Sequence, residues 1–166
     1  DGNIYALPFD MDITGIVYNV DVLKAANVNV DDIKTWADFE AACEAVKKIG
    51  KNPIHMGGSN NFTIGWFYDR VAPSFYITDE TNSKAKDLKN GKFDSKLWED
   101  VSAILDSWVT KGYLNDDCVS GEYTADVQSL ATGETAFLFY GNIAITLGLG
   151  INESANLGMM PLPSNS

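Results

Sequence analysis

DGNIYALPFDMDITGIVYNVD, residues Asp1–Asp21, decides how the rest of the chain is read. Ile4–Phe9 is apolar and carries strand-forming Ile, Tyr and Phe; Ile13–Tyr18 is a second apolar run, rich in β-branched Ile, Thr and Val. Between these two expected strands stand Asp10, Met11 and Asp12. The pattern predicts a buried sheet that presents carboxylates at its rim. Leu157–Pro163, at the other end, is again short, extended and proline-bounded, so both end strands are expected to be connections to something larger.

Outward from that stretch, strands and helices alternate. Asp21 is expected to cap a short helix over Val22–Ala26. Thr35-Trp36-Ala37-Asp38 reads as a capped helix start with an acidic third residue, and Trp36, Phe39, Cys43, Val46 and Ile49 recur at helical spacing up to Gly50. Pro53–Met56 is a short strand closed by Gly57-Gly58, and Ser59–Phe62 a polar loop. Thr63–Val71 is expected to be helical, Phe75–Ile77 extended, and Asn82–Lys89 a surface helix before the Asn90-Gly91 turn. The longest helix is predicted over Ser95–Lys111, capped by Asp94. Its apolar stripe is Leu97, Trp98, Val101, Ile104, Leu105, Trp108 and Val109, and both tryptophans are read as core. Tyr123–Thr132 is a helix ended by Gly133, Thr135–Phe139 a buried strand, Gly141 or Asn142 a helix start, and Leu157–Leu162 the last strand. This is the α/β class.

The 166 residues suffice for one domain with a core, residues 1–166. Net charge is −11, which disfavours phosphate backbones and anionic membranes; nucleic acid is not expected as a partner. Thr135–Asn152 is uncharged and near the lower length limit for a membrane span, but Gly141-Asn142, Gly148 and Gly150 interrupt it, so a strand, a turn and a short buried helix are expected. Cys43 and Cys118 form no metal-binding pair, and Cys43 falls on an apolar helix face.

In open α/β sheets ligands bind beyond the strand ends. Three expected ends carry polar residues: Asp10 and Asp12; Asn60 and Asn61, followed by Trp66; and Tyr140-Gly141-Asn142. Carboxylates and amides pair with hydroxyls, an aromatic ring offers a flat apolar face, and Gly141 admits close approach to a helix start. The same residues have structural uses. Asp10 and Asp12 are turn formers, Asn60 and Asn61 hold loops, and Trp66 can be core. Their convergence on one edge is what favours a site.

Enzyme patterns fare poorly. His55 is the only histidine, and Gly57–Asn61 lacks the final glycine of a nucleophile elbow. There is no P-loop and no zinc pattern, and no cofactor or metal is expected. His55 is read as a structural strand-end residue. Asp10 and Asp12 leave open a carbohydrate-active enzyme.

The opening, with Leu7-Pro8, the Asp-rich corner and Val17-Tyr18-Asn19-x-Asp21-x-Leu23, resembles the extracellular solute-binding proteins of ABC importers, family 1, mostly sugar binders. Lys34-Thr35-Trp36-x-x-Phe39 fits that family, as do Pro53-Ile54 before Gly57-Gly58 and Trp108-x-x-Lys111-Gly112-Tyr113. So do Gly133-Glu134-Thr135-Ala136-Phe137 before Gly141-Asn142, and Met159–Pro163. The resemblance implies a periplasmic-binding-protein-like type II lobe, a mixed sheet flanked by helices. It would be the second lobe of a two-lobed protein that closes on a solute, and the partner lobe is absent from the sequence. It also implies a sugar ligand (a mono- or oligosaccharide), ABC permease subunits as partners, no enzymatic activity, and an extracytoplasmic place as a cell-surface lipoprotein or in the periplasm. It assigns the cleft to Asp10, Asp12, Asn60–Trp66 and Tyr140–Asn142. Many relatives carry Trp after Gly-Asn as a stacking platform; this chain has Ile143, which argues against a large oligosaccharide stacked there.

Overall fold

The structure, a computed structural model, describes residues 2, 4, 5, 7, 10–76 and 84–164. The organising element is a four-stranded sheet of β1 (Ile16–Asn19), β2 (Asn52–Ile54), β3 (Thr135–Leu138) and β4 (Leu157–Met160), in the order β2-β3-β1-β4. β2 and β3 are parallel, whereas β1 is antiparallel to both of its neighbours, with Val17 opposite Leu138 and Met159. The sheet is mixed, as the family resemblance implies.

Side chains alternate between the faces of a strand, and this divides the core in two. Ile16, Phe137 and Phe139 join a large cluster on one face with Trp36, Phe39, Phe67 and Trp108. Val17, Leu138 and Tyr140 point to the other face, where they meet Val127, Leu130 and Ala144. Helix α2 (Trp36–Lys48) and helix α6 (Ser95–Thr110) contribute to the first cluster; α7 (Tyr123–Ala131) and α8 (Ile143–Ile151) contribute to the second. Helix α3 (Asn61–Val71) sits at the boundary, with Phe67 in the first cluster and Trp66 packed against the second.

Local chemistry fixes the helix starts. At α2 the Thr35 hydroxyl accepts from the Asp38 N–H while the Asp38 carboxylate accepts from the Thr35 N–H, the reciprocal cap expected from the sequence. Helix α1 (Val20–Ala25) starts earlier than expected. Its cap is Asn19, not Asp21, because the Asn19 carboxamide accepts from the N–H groups of Asp21 and Val22. Asp94 stands at the N-cap of α6 without a side-chain cap bond.

Other expectations change. Ile4, Tyr5 and Leu7 are irregular and exposed, so the described part of Ile4–Phe9 forms no strand; Ala6, Pro8 and Phe9 lie outside the described residues. Phe75 belongs to a helical turn, α4 (Pro73–Tyr76), because Pro73 fits a first helical position; Ile77 lies outside the described residues. The helix expected over Asn82–Lys89 is α5 (Ala85–Lys89), and Asn82 and Ser83 are outside the described residues. The stripe of α6 is narrower than its sequence suggests. Leu97, Val101 and Trp108 are buried, Trp98 lies at the edge of the core, and Val109 is exposed. Among the described residues no helix is long and apolar enough to cross a membrane.

Candidate functional site

One edge of the sheet gathers most of the polar and aromatic residues singled out above. Parallel β2 and β3 end there, antiparallel β1 begins there, and α3, α7 and α8 start beside it. Asp10 and Asp12 reach this edge because they precede β1, not because they follow a strand.

The Asp10–Thr14 segment is stitched to the start of α8. The Ile13 N–H donates to the Asn142 side-chain oxygen at 2.9 Å, and the Asn142 N–H donates to the Ile13 carbonyl at 2.9 Å. Thr14 and Gly141 then form an antiparallel bridge. A Cβ at Gly141 would lie 2.5 Å from an Asp12 carboxylate oxygen, so the glycine makes room for Asp12 and not for an incoming ligand. Asn142 holds the segment in place through its side-chain oxygen.

Four aromatic rings cross the edge. Tyr123 at the start of α7 meets Phe62 at 5.2 Å between ring centroids, Phe62 meets Trp66 at 4.9 Å, and Trp66 meets Tyr140 edge-on at 4.7 Å. Trp66 is half-buried; Phe62 and Tyr123 are about two-fifths exposed (40% and 39%). Asn60 fastens this row from behind, its side-chain oxygen accepting from the Tyr123 N–H at 3.2 Å. Asn61 is exposed at the first position of α3 and lines neither hollow described below.

Behind the rings lies a closed polar network. The Tyr140 hydroxyl donates to one oxygen of the fully buried Asp126 at 2.6 Å, and the other oxygen is 2.7 Å from His55 Nδ1. Burial, and then the bond to Asp126, push the Tyr140 phenol well above its ordinary pKa, so it stays a neutral donor. His55 follows the end of β2 and has this structural partner.

In front of the rings is open space. Asp12, Trp66, Asp69, Arg70, Tyr140 and Ile143 are among the residues that line a hollow of about 220 Å³. A second hollow of about 430 Å³, lined by Asp10, Met11, Asp12, Asn142, Ile143 and Thr146, adjoins it through Asp12 and Ile143. Arg70 is buried one turn beyond Trp66 on α3. Its Nη1 donates to the Trp66 carbonyl at 2.9 Å, and its guanidinium stands 5.7 Å from the Trp66 ring centroid. Burial lowers its pKa, and the charges of Asp69 and Asp12 oppose that shift. The arrangement offers donors, acceptors and a ring face side by side, which suits a polyhydroxylated molecule.

Residue type and spacing do not single out Arg70, Asp69 or Tyr123. For Arg70 a signal existed: residues four apart share a helix face, so placing Trp66 at the edge places Arg70 there too. The Asp126–His55 pair, 71 residues apart, left no sequence signal.

A family model of the bacterial extracellular solute-binding proteins matches residues 1–165. The chain is 27% identical to the melibiose/raffinose/stachyose-binding protein MelE of Bacillus subtilis (strain 168), over 98% of this chain and 38% of that protein. It is 32% identical to an uncharacterized ABC transporter extracellular-binding protein of Pyrococcus horikoshii, over 98% of this chain and 37% of that one. A sugar transporter protein of Bacillus licheniformis, solved in complex with stachyose, superposes with a TM-score of 0.85 at 26% identity, covering 99% of this chain and 43% of that one. The chain thus spans about two-fifths of the length of these relatives.

Proposed function

The chain belongs to the bacterial extracellular solute-binding proteins, and from that membership we propose that it is one lobe of an ABC importer's sugar receptor. The observation that carries this reading is the edge where Asp12, Arg70, Trp66 and Tyr140 face one hollow. We read it as one wall of a cleft whose other wall a second lobe supplies, because the chain spans about two-fifths of its relatives' length.

The mechanism is closure. A sugar that touches both walls binds the closed form better than the open one and shifts the equilibrium between them. Asp12 accepts from a hydroxyl, Trp66 lies under the apolar face of a ring, and Tyr140, held by Asp126, keeps Trp66 in place. Ile143 stands where many family members have a stacking Trp; Trp66, from α3, supplies an aromatic face in this chain. The closed form then docks on the permease outside the cytoplasm. The relatives whose names give a ligand are sugar binders, and the alternative of a glycosidase using Asp10 and Asp12 finds no support among them.

Calorimetric titration of the two-lobed protein with raffinose and stachyose tests the reading. Saturable binding in the micromolar range, about −8 kcal/mol, is expected. Steady release of monosaccharide from either sugar would make it an enzyme instead.

A further inference from the structure

Arg70 is 5% exposed. Among the described residues it forms no ion pair, and its one hydrogen bond is Nη1 to the Trp66 carbonyl. Its Nε is buried with no partner. A guanidinium this deep is ordinarily paired, since an unmet buried donor destabilises the fold. Its position against the Trp66 ring does not answer this need, because a ring face takes the cation and leaves the in-plane N–H groups unmet. Arg70 lines the hollow with Asp12 and Asp69. Asp12, for its part, is exposed and makes no hydrogen bond with any described residue. The wall therefore sets an under-used donor beside an unused acceptor.

The charge around the hollow decides what completes this pair. One cation faces two carboxylates, Asp12 and Asp69, in a chain of net charge −11. A sugar acid would satisfy Arg70 but meet both carboxylates. A neutral sugar meets neither penalty: one hydroxyl accepts from Arg70 and its neighbour donates to Asp12, each through a charge-assisted bond. We infer that Arg70 is the specificity-determining residue of this hollow, selecting with Asp12 for neutral sugars that carry adjacent hydroxyls and against uronic acids. This rests on the cleft reading above.

The test is calorimetry on the two-lobed protein with two panels. The neutral panel is raffinose, stachyose, arabinotriose and chitotriose; the acidic panel is oligogalacturonates and glucuronic acid. At least one neutral sugar should bind, and every acid should bind at least about a hundredfold more weakly. Arg70→Met should weaken the neutral sugar roughly ten- to a hundredfold. Arg70→Lys, which keeps the charge and loses the planar fork, should weaken it about tenfold with little change in melting temperature. Asp12→Asn should narrow the neutral-to-acid ratio, which a purely structural role would not do. If Arg70→Met fails to fold, Arg70→Lys and the wild-type ratio decide. A neutral sugar that binds Arg70→Lys unchanged, or an acid within tenfold of it, overturns the inference and leaves the cleft reading standing. Binding of neither panel overturns both.

Discussion

The protein holds two sets of aromatic rings, and they differ in what their polar neighbours are doing. The inner set, Trp36, Phe39, Phe67, Trp108, Phe137 and Phe139, is buried against one face of the sheet. Its indole N–H groups are met from within: Trp36 donates to Ser74 at 3.1 Å and Trp108 donates to Glu40 at 2.8 Å. The outer row, Tyr123, Phe62, Trp66 and Tyr140, is anchored from behind by Asn60 and by Asp126. In front of it Arg70 and Asp12 remain open. Ring chemistry is the same in both places. What separates a core from a candidate site here is whether the adjoining donors and acceptors are met by other described residues.

The hardest break falls on the inner set. Trp108→Ala should cost about 3–5 kcal/mol of stability, or roughly 10 °C in Tm for a domain of this size, read by thermal melting. Affinity per folded molecule should be unchanged. Asp126→Ala probes the junction of the two sets, leaving the Tyr140 hydroxyl and His55 without their acceptor. A loss of about 3 kcal/mol is expected in denaturant unfolding, together with weaker sugar binding, because Tyr140 no longer braces Trp66. An affinity unaffected by this change would detach the rear network from the site.

Smaller effects sharpen the comparison at positions remote from the outer row. Thr35→Ala removes the α2 cap and should cost about 1 kcal/mol without touching affinity. The backbone N–H of Thr35 first, then its hydroxyl and the Lys34 N–H, hold the Asp38 carboxyl below its ordinary 3.8. Because the folded value is the lower one, this contribution is fully present above pH 3.8 and is lost as pH falls through the folded value. The Tm difference between wild type and Asp38→Asn should therefore shrink in acid. The smallest effect involves no loss of stability. Cys43 is fully buried in the inner cluster, and burial pushes its thiol well above the usual range, whereas Cys118 is only half-buried. Under native conditions a thiol reagent should label Cys118 first, with Cys43 reacting only on unfolding, as followed by mass spectrometry.

Local signals are legible in the sequence, and long-range ones are not. The Thr35–Asp38 cap is visible because its partners are three residues apart, and the helical spacing from Trp36 to Val46 marks the buried face of α2. Asp21 was a plausible cap for α1, but Asn19 precedes it and reaches the same N–H groups. Ile4–Phe9 has strand composition, yet composition cannot supply a pairing partner, and its described residues are exposed. At the site, Asp12, Trp66 and Tyr140 could be named from residue type, and they do face one hollow. The roles of Gly141 and Asn142 could not, because they depend on how the Asp10–Thr14 segment lies against α8.

The central claim is that the outer row belongs to a binding wall and the inner set to the fold. Trp66→Ala in the two-lobed protein tests it most directly, by calorimetry and thermal melting on the same sample. The account predicts at least a tenfold loss of sugar affinity with Tm within a few degrees of wild type. A Trp66→Ala protein that melts as early as Trp108→Ala while binding sugar normally would contradict it.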